Sequence, residues 1–482
     1  MRTHSKLIRV VVALLVLGAV GGLFTWYKFF REEAQPAWIT GDPDMRFKYG
    51  SIGAERDAGI PYWIFYVLPR MFPEKIPGPN GFASFGVAWE QGQELPVGFT
   101  KKVVGFARVG NNCASCHMSS YRRNEEETPT FVTAGAGQRL DLEAVFRFLV
   151  DCAKDPRFNA DNLMHEIDLV TDLSWIDRLI YRFVLVPITR KRLLEREQQF
   201  AWIYRHDFPE WGRGRDDAMN LTKYFMIKVP MDDSVGPSDI PSVWNLAKYQ
   251  RPGTSMNWSG DSHDAYSVII DSALGLVGAA PKDNDEFLAE VKWLQDYLSA
   301  KQPPAYPWPI DASKSEPGKA LFERECAACH QSERTGTRTA LQGIDTDPER
   351  MWTWNKENAQ AANRTVSEFG IQRKGLVEAD LIGYNIPFLD GLWLRAPYLH
   401  NGSVPTLRDL LSPPELRPKK FWRGYDLYDP SGVGFISAGL AAEQVGSMFD
   451  TTLRANSNSG HVFGTTLPDT EKEALLEYLK TL

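Results

Sequence analysis

The sequence predicts a mainly α protein in two halves, and three observations predict it. Apolar residues recur at helical spacing in well-separated segments, while the alternation of a half-buried strand is scarce. A Cys-x-x-Cys-His pentapeptide occurs at residues 113–117 and again at 326–330. Between them lies Pro303-Pro304-Ala305-Tyr306-Pro307-Trp308-Pro309, a stiff, extended run that marks a boundary between folding units. With 43% hydrophobic and 24% charged residues, global disorder is excluded. The 54 basic residues do not exceed the 61 acidic ones, which argues against a nucleic-acid role. Four of the five cysteines belong to the pentapeptides, so a disulfide-rich scaffold is excluded, and Cys152 reads as a buried thiol.

The elements follow in chain order. Arg2, Lys6 and Arg9 precede an uncharged run from Val10 to Tyr27, and Lys28 and Arg31 follow it. Positive charge before an apolar run implies a cytoplasmic N-terminus and an exported remainder. A cleavable signal peptide is the competing reading, with a small-x-small site at Ala19-Val20-Gly21. Leu23, Phe24, Trp26 and Tyr27 prolong the apolar stretch past that site and favour an uncleaved anchor. Residues 31–110, rich in glycine, proline and aromatics, read as loops and short helices. A helix is expected from Leu140 to Cys152, with Leu142, Val145, Phe146 and Leu149 on one side. Residues 172–200 form a further helical stretch carrying Arg190, Lys191 and Arg192. It is either an amphipathic surface helix or a face resting on membrane headgroups. Residues 284–300 are a clear helix. Past the prolines, a helix from Lys319 leads into the second pentapeptide. Thr470-Glu471-Lys472-Glu473 then reads as a capping box for a closing helix.

The pentapeptides carry the chemistry. Two thiols at this spacing form thioethers to haem vinyl groups, and the adjacent histidine reaches the iron. A thioredoxin-like pair would need one motif in a βαβ setting. A zinc site has no use for a histidine after each pair. Two covalent haem c groups are therefore expected, one on Cys113, Cys116 and His117, the other on Cys326, Cys329 and His330. The fold class becomes two cytochrome c-like haem domains, with a long loop-rich and helical insertion in the N-terminal half and an N-terminal transmembrane helix. The expected divisions are 1–30, anchor or signal; 31–302, N-terminal haem domain with the insertion; 303–310, linker; and 311–482, C-terminal cytochrome c domain. Phe322 is placed to pack on Leu475 or Leu479 in the last of these.

Each iron has a sixth position, and its occupant separates electron transfer from reaction with small molecules. His461, in the glycine-flanked loop Asn458-Ser459-Gly460-His461-Val462-Phe463-Gly464, is the candidate for the second haem, with Met448 as runner-up. His400 and Arg395 are candidates for contacts around haem, to a propionate or to orient a loop. His4 precedes the apolar run and is excluded. His206 and His263 lie in polar loops, so no histidine stands out for the first haem, whose site reads as open or weakly occupied.

Ala396-Pro397-Tyr398-Leu399-His400-Asn401-Gly402-Ser403-Val404-Pro405-Thr406-Leu407 resembles the C-terminal signature of the bacterial dihaem cytochrome c peroxidase superfamily. Three segments are most similar to its dihaem rubber-oxygenase branch: Pro241-Ser242-Val243-Trp244-Asn245, Met256-Asn257-Trp258-Ser259-Gly260 and Gly460-His461-Val462-Phe463-Gly464. The resemblance implies a bis-histidine C-terminal haem on His330 and His461, and an N-terminal haem on His117 that meets dioxygen or peroxide. It also implies a tryptophan between the haems, for which Trp244 and Trp258 are the matching candidates. The peroxidases hold Ca2+ between domains, but no Asp/Asn spacing here identifies a site. Their acidic residue for peroxide cleavage has no glutamate counterpart after Trp258; Asp261, His263, Asp264 and Asp271 are the nearest polar groups.

The expected function is a dihaem oxidoreductase of peroxidase or oxygenase type on the periplasmic side of the bacterial inner membrane. Its substrate would be peroxide, O2 or an apolar compound. Its redox partner would be a small protein or a membrane electron donor. The alternative is a non-enzymatic electron carrier with both irons six-coordinate.

Overall fold

The computed structural model describes residues 2–278, 280–377 and 383–482. It opens with a helix, Arg2–Phe29, whose segment Ile8–Phe29 has a mean hydropathy of 2.3 and lies wholly outside the protein core. That segment is long and apolar enough to cross a membrane. The strands Phe99–Val104 and Phe106–Asn111 form an antiparallel hairpin, and Ile60–Pro61 pairs with the far edge of the second strand. Gly105 at the hairpin tip has φ +74°, and a Cβ there would lie 2.3 Å from Phe29 Cα. The hairpin thus seats the end of the apolar helix. A sheet appears where loops and short helices were expected, because Lys101 and Lys102 interrupt the apolar alternation that would have signalled it.

The helix Leu142–Lys154 starts from an Asp141 cap and buries Val145, Phe148 and Cys152. The 172–200 stretch is a chain of Trp175–Ile180, a π turn Tyr181–Leu185 and Val186–Gln199. Pro187 supplies no N–H to the preceding turn and crowds its carbonyl, which accounts for the widening just before it. Asn284–Ala300 matches its predicted span. The helix Ala312–Glu325 begins ahead of the expected Lys319 and carries Pro317 inside it. The last helix, Asp469–Leu479, starts directly after Pro468, so Thr470 lies within its first turn and the expected capping box does not form.

These last two helices pack tightly. A Cβ on Gly318 would lie 1.9 Å from the Ala474 carbonyl oxygen, so only glycine permits the approach. Phe322 is fully buried, 5.3 Å from Tyr478 between ring centres, in one core with Leu475 and Leu479. That core also takes in Phe47, Trp244 and Leu294, so residues from both sides of the proline run share it. A second core gathers Phe65, Phe82, Phe148 and Leu163. The proline run is itself seated. Trp308 stacks on Tyr428 at 4.8 Å, and Trp393 Nε1 donates to the Pro304 carbonyl at 3.0 Å.

Candidate haem centres

The first pentapeptide begins in a 3-10 turn, Cys113–Ser115, built on Asn112. The buried Asn112 side chain accepts from Ala114 N at 2.9 Å and donates to the carbonyls of Phe47 at 3.0 Å and Gly50 at 2.9 Å. The second follows helix Ala312–Glu325 directly as the turn Ala327–His330. No disulfide joins any of the four motif cysteines. Burial pushes the unmodified thiols up, Cys113 to about 11, Cys116 to about 12 and Cys326 to about 11.

The two motif histidines are held alike. His117 Nδ1 donates to the Pro241 carbonyl at 2.8 Å, and His330 Nδ1 to the Pro387 carbonyl at 3.1 Å. A carbonyl only accepts, so each Nδ1 carries the proton and each Nε2 presents a lone pair for a metal. Burial holds both imidazoles below the usual histidine range, in the neutral form that binds a metal. The supporting segments repeat: Asp239-Ile240-Pro241 at the first centre, Asn385-Ile386-Pro387 at the second. Each is preceded by a short antiparallel pair in which an arginine faces the Asx residue, Arg215 opposite Asp239 and Arg338 opposite Asn385. The pentapeptides were legible in the sequence; their proline supports were not singled out, although the repeated Asx-Ile-Pro was a signal for them.

The centres differ on their far sides. The rings of His330 and His461 face each other with centroids 6.4 Å apart. Two imidazole nitrogens each ~2.0–2.1 Å from one metal lie about 4 Å apart, and about 1 Å more to each ring centre gives about 6 Å. The pair therefore fits one ion between them. His461 Nδ1, unlike that of His117 and His330, is buried without a hydrogen-bond partner among the described residues. Burial, His330 and Arg417 push its pKa down to about 4. The backbone holds it there. His461 has φ +49°, its N–H donates to the Ile344 carbonyl at 2.7 Å, and a Cβ on Gly460 would lie 2.2 Å from that same oxygen. Arg417, which sequence reasoning missed, donates to the carbonyls of Asn458, Gly460 and His461. The runner-up Met448 is exposed on strand Ser447–Asp450. Among the described residues no second histidine ring faces His117 in this way; His206 and His263 are exposed.

Trp258 lies between the two supports. Its Nε1 donates to the Asp239 carbonyl at 2.8 Å, and its own carbonyl accepts from Asn385 N at 2.8 Å. Trp244 is buried and donates from Nε1 to the Asp390 carbonyl at 3.0 Å. Arg395 donates to the carbonyls of Phe388 and Asp390, so it braces the loop after Pro387. His400 is buried, stacked on Tyr384 at 4.0 Å, and its carbonyl accepts from Asp239 N at 2.8 Å. Burial, then Arg350 and Arg215, holds it well below the usual histidine range. The acidic groups after Trp258 have partners: Asp261 accepts from Asn257, Asp264 caps helix Ala265–Val277, and Asp271 pairs with Arg373. Among the described residues no group of three or more His, Cys, Asp or Glu side chains forms a metal cage, and the Ca2+ expectation gains no site.

Comparisons with known proteins bear on the same segments. Residues 383–423 match the RoxA-like, cytochrome c-like family, and residues 315–375 match cytochrome c. The chain is 30% identical over 253 residues to uncharacterized protein y4iM of Sinorhizobium fredii (strain NBRC 101917 / NGR234), covering 46% of this chain and 56% of that protein. It is 44% identical over 119 residues to uncharacterized protein y4iJ of the same strain, covering 23% of this chain and 19% of that one. It therefore spans about half the length of the first relative and about a fifth of the second. The C-terminal region is of cytochrome c type, which carries covalent haem c, and it includes the Cys326-Ala327-Ala328-Cys329-His330 motif.

Proposed function

We propose that this chain is a dihaem c-type oxidoreductase, anchored on the periplasmic side of a bacterial inner membrane. In this reading the His117 centre meets O2 or peroxide and the His330–His461 centre passes electrons. The observation that carries it is the asymmetry between two otherwise matching centres: His461 faces His330 across a metal's width, and no described histidine ring faces His117. Haem at His117 would supply redox chemistry on the small oxidant, and haem between His330 and His461 one-electron transfer.

The chain's own groups prepare both centres. Pro241 and Pro387 fix the tautomer of the proximal rings and make each Nε2 a stronger donor. Arg417 keeps the His461 loop closed, while Arg395 and Trp244 brace the loop after Pro387. Trp258, bonded to both supporting segments, is the residue we assign to electron relay between the centres. Asp261 and Asp264 have structural partners, and Asp271 pairs with Arg373. The match to the RoxA-like family favours oxygenase-type over peroxidase-type chemistry in this reading.

Low-temperature EPR of the oxidised, purified protein tests the reading. One high-spin and one low-spin ferric signal are expected. Two low-spin signals that persist on partial reduction would sink it in favour of an electron carrier.

A further inference from the structure

The stretch Trp175–Ile180, Tyr181–Leu185 and Val186–Gln199 buries Tyr181, Leu185, Val186 and Leu193 in the second core, and its opposite face is apolar as well. Its outward residues are apolar: Trp175 is 72% exposed, Phe183 67%, Ile188 51% and Leu179 46%. Trp175, Leu179 and Phe183 follow at four-residue steps, the spacing of one helix face. Two of its arginines form surface ion pairs beside this face. Arg178 pairs with Asp168 and Arg182 with Asp161, both on helix Ala160–Asp168. Water favours a polar outward face, so a large apolar face left outward marks a contact with something apolar.

Two sets of contacts fix the level of this face. Lys28 Nζ donates to Asp177 Oδ1 at 2.6 Å, tying the first turn of Trp175–Ile180 to the last turn of helix Arg2–Phe29. The Gly105 hairpin tip clamps the same helix end: Phe29 meets Phe106 edge-on at 6.5 Å, and Arg108 Nη2 donates to the Phe29 carbonyl at 3.4 Å. The exit of the apolar helix is therefore a fixed joint. The exposed Trp26, Tyr27 and Phe30 flank that joint. Lys191 and Arg192 stand exposed within a turn of Ile188; both pair loosely with the one carboxylate of Glu195, which leaves a net positive charge for anionic headgroups.

We propose that Trp175, Leu179, Phe183 and Ile188 lie in the headgroup region of a phospholipid bilayer, so that the fixed joint and this face together hold the body at one orientation on the membrane. The proposal rests on the anchored reading of helix Arg2–Phe29.

The test uses the full chain in nanodiscs of phosphatidylethanolamine and phosphatidylglycerol, with a nitroxide at Phe183→Cys and a reference label at Leu416→Cys, an exposed position in the C-terminal half. Intact mass reports single labelling and whether residues 1–29 are retained. Power-saturation EPR compares access of O2, which concentrates in the bilayer, with access of a water-soluble nickel chelate. The label at 183 is expected to favour O2 several-fold more than the label at 416. Equal chelate access at both positions, with residues 1–29 present, overturns the proposal and leaves the anchor standing. If the mass shows cleavage after the apolar run, the anchor reading fails separately. The cleaved chain is then sedimented with vesicles of the same lipids. Binding that drops at least about tenfold in Trp175→Glu/Phe183→Glu, with an unchanged haem spectrum, supports the face. Absence of binding by the unmutated chain overturns it.

Discussion

Arg417→Ala probes the closed loop at the second centre most directly. The guanidinium is buried and donates to five backbone carbonyls: Ser412 at 3.0 Å, Asn458 at 2.6 Å, Gly460 at 2.8 Å, Leu410 at 3.2 Å and His461 at 3.1 Å. Burial pushes its pKa down to about 10, so it stays charged at neutral pH. Alanine removes every one of these donors. A buried acceptor left unpaired costs ~1–3 kcal/mol, and water entering the vacated space recovers part of it. Counting only the carbonyls of Asn458, Gly460 and His461, at the low end, the closed loop loses about 3 kcal/mol against the open one. At 1.4 kcal/mol per tenfold, the open population rises about a hundredfold. The assay is binding of exogenous imidazole to the oxidised protein, followed by stopped flow, with EPR reporting the spin state. The rate is expected to rise toward that hundredfold, and a high-spin fraction to appear at the second haem. Arg417→Lys keeps the charge but not the planar fork of donors, and should fall between. Wild-type imidazole kinetics and a fully low-spin second haem in Arg417→Ala would refute the reasoning.

Three further outcomes are expected. Asn112→Ala leaves the Phe47 and Gly50 carbonyls without their donor and removes the cap of the first motif; it should cost about 2–4 kcal/mol, read as a lower urea midpoint at unchanged slope. Trp258→Phe keeps an aromatic ring but deletes the donor to Asp239; it should cost about 1 kcal/mol and slow electron transfer between the haems after flash reduction, and an unchanged rate would remove Trp258 as the relay. Burial, opposed by Arg373, raises the Asp271 carboxyl to about 7. The folded state then holds that proton more tightly than the unfolded chain, so stability falls as pH rises from about 4 to about 7, by at most about 4 kcal/mol, and Asp271→Asn should flatten that slope in urea unfolding.

The sequence by itself determined the two candidate attachment motifs. A Cys-x-x-Cys-His pentapeptide is local: its thiols and imidazole sit within five residues, so the spacing that suits one haem can be read without the fold. The helix at 284–300 and the apolar run before Lys28 were legible for the same reason, since period and composition are local signals. His461 stood out because glycines flank it, and one of them, Gly460, meets the backbone at Ile344 too closely for a side chain. Only the tertiary structure decided what completes each centre. Pro241 lies 124 residues from His117, and Pro387 57 residues from His330, and each contributes a backbone carbonyl, a group every residue carries. Arg417, too, acts only on carbonyls. Trp258 is one of 15 tryptophans, and its place between Asp239 and Asn385 depends on strands from both halves meeting there. The outward apolar face at Trp175 and Phe183 was likewise undecidable from periodicity, because a period fixes which residues share a face but not which way that face turns.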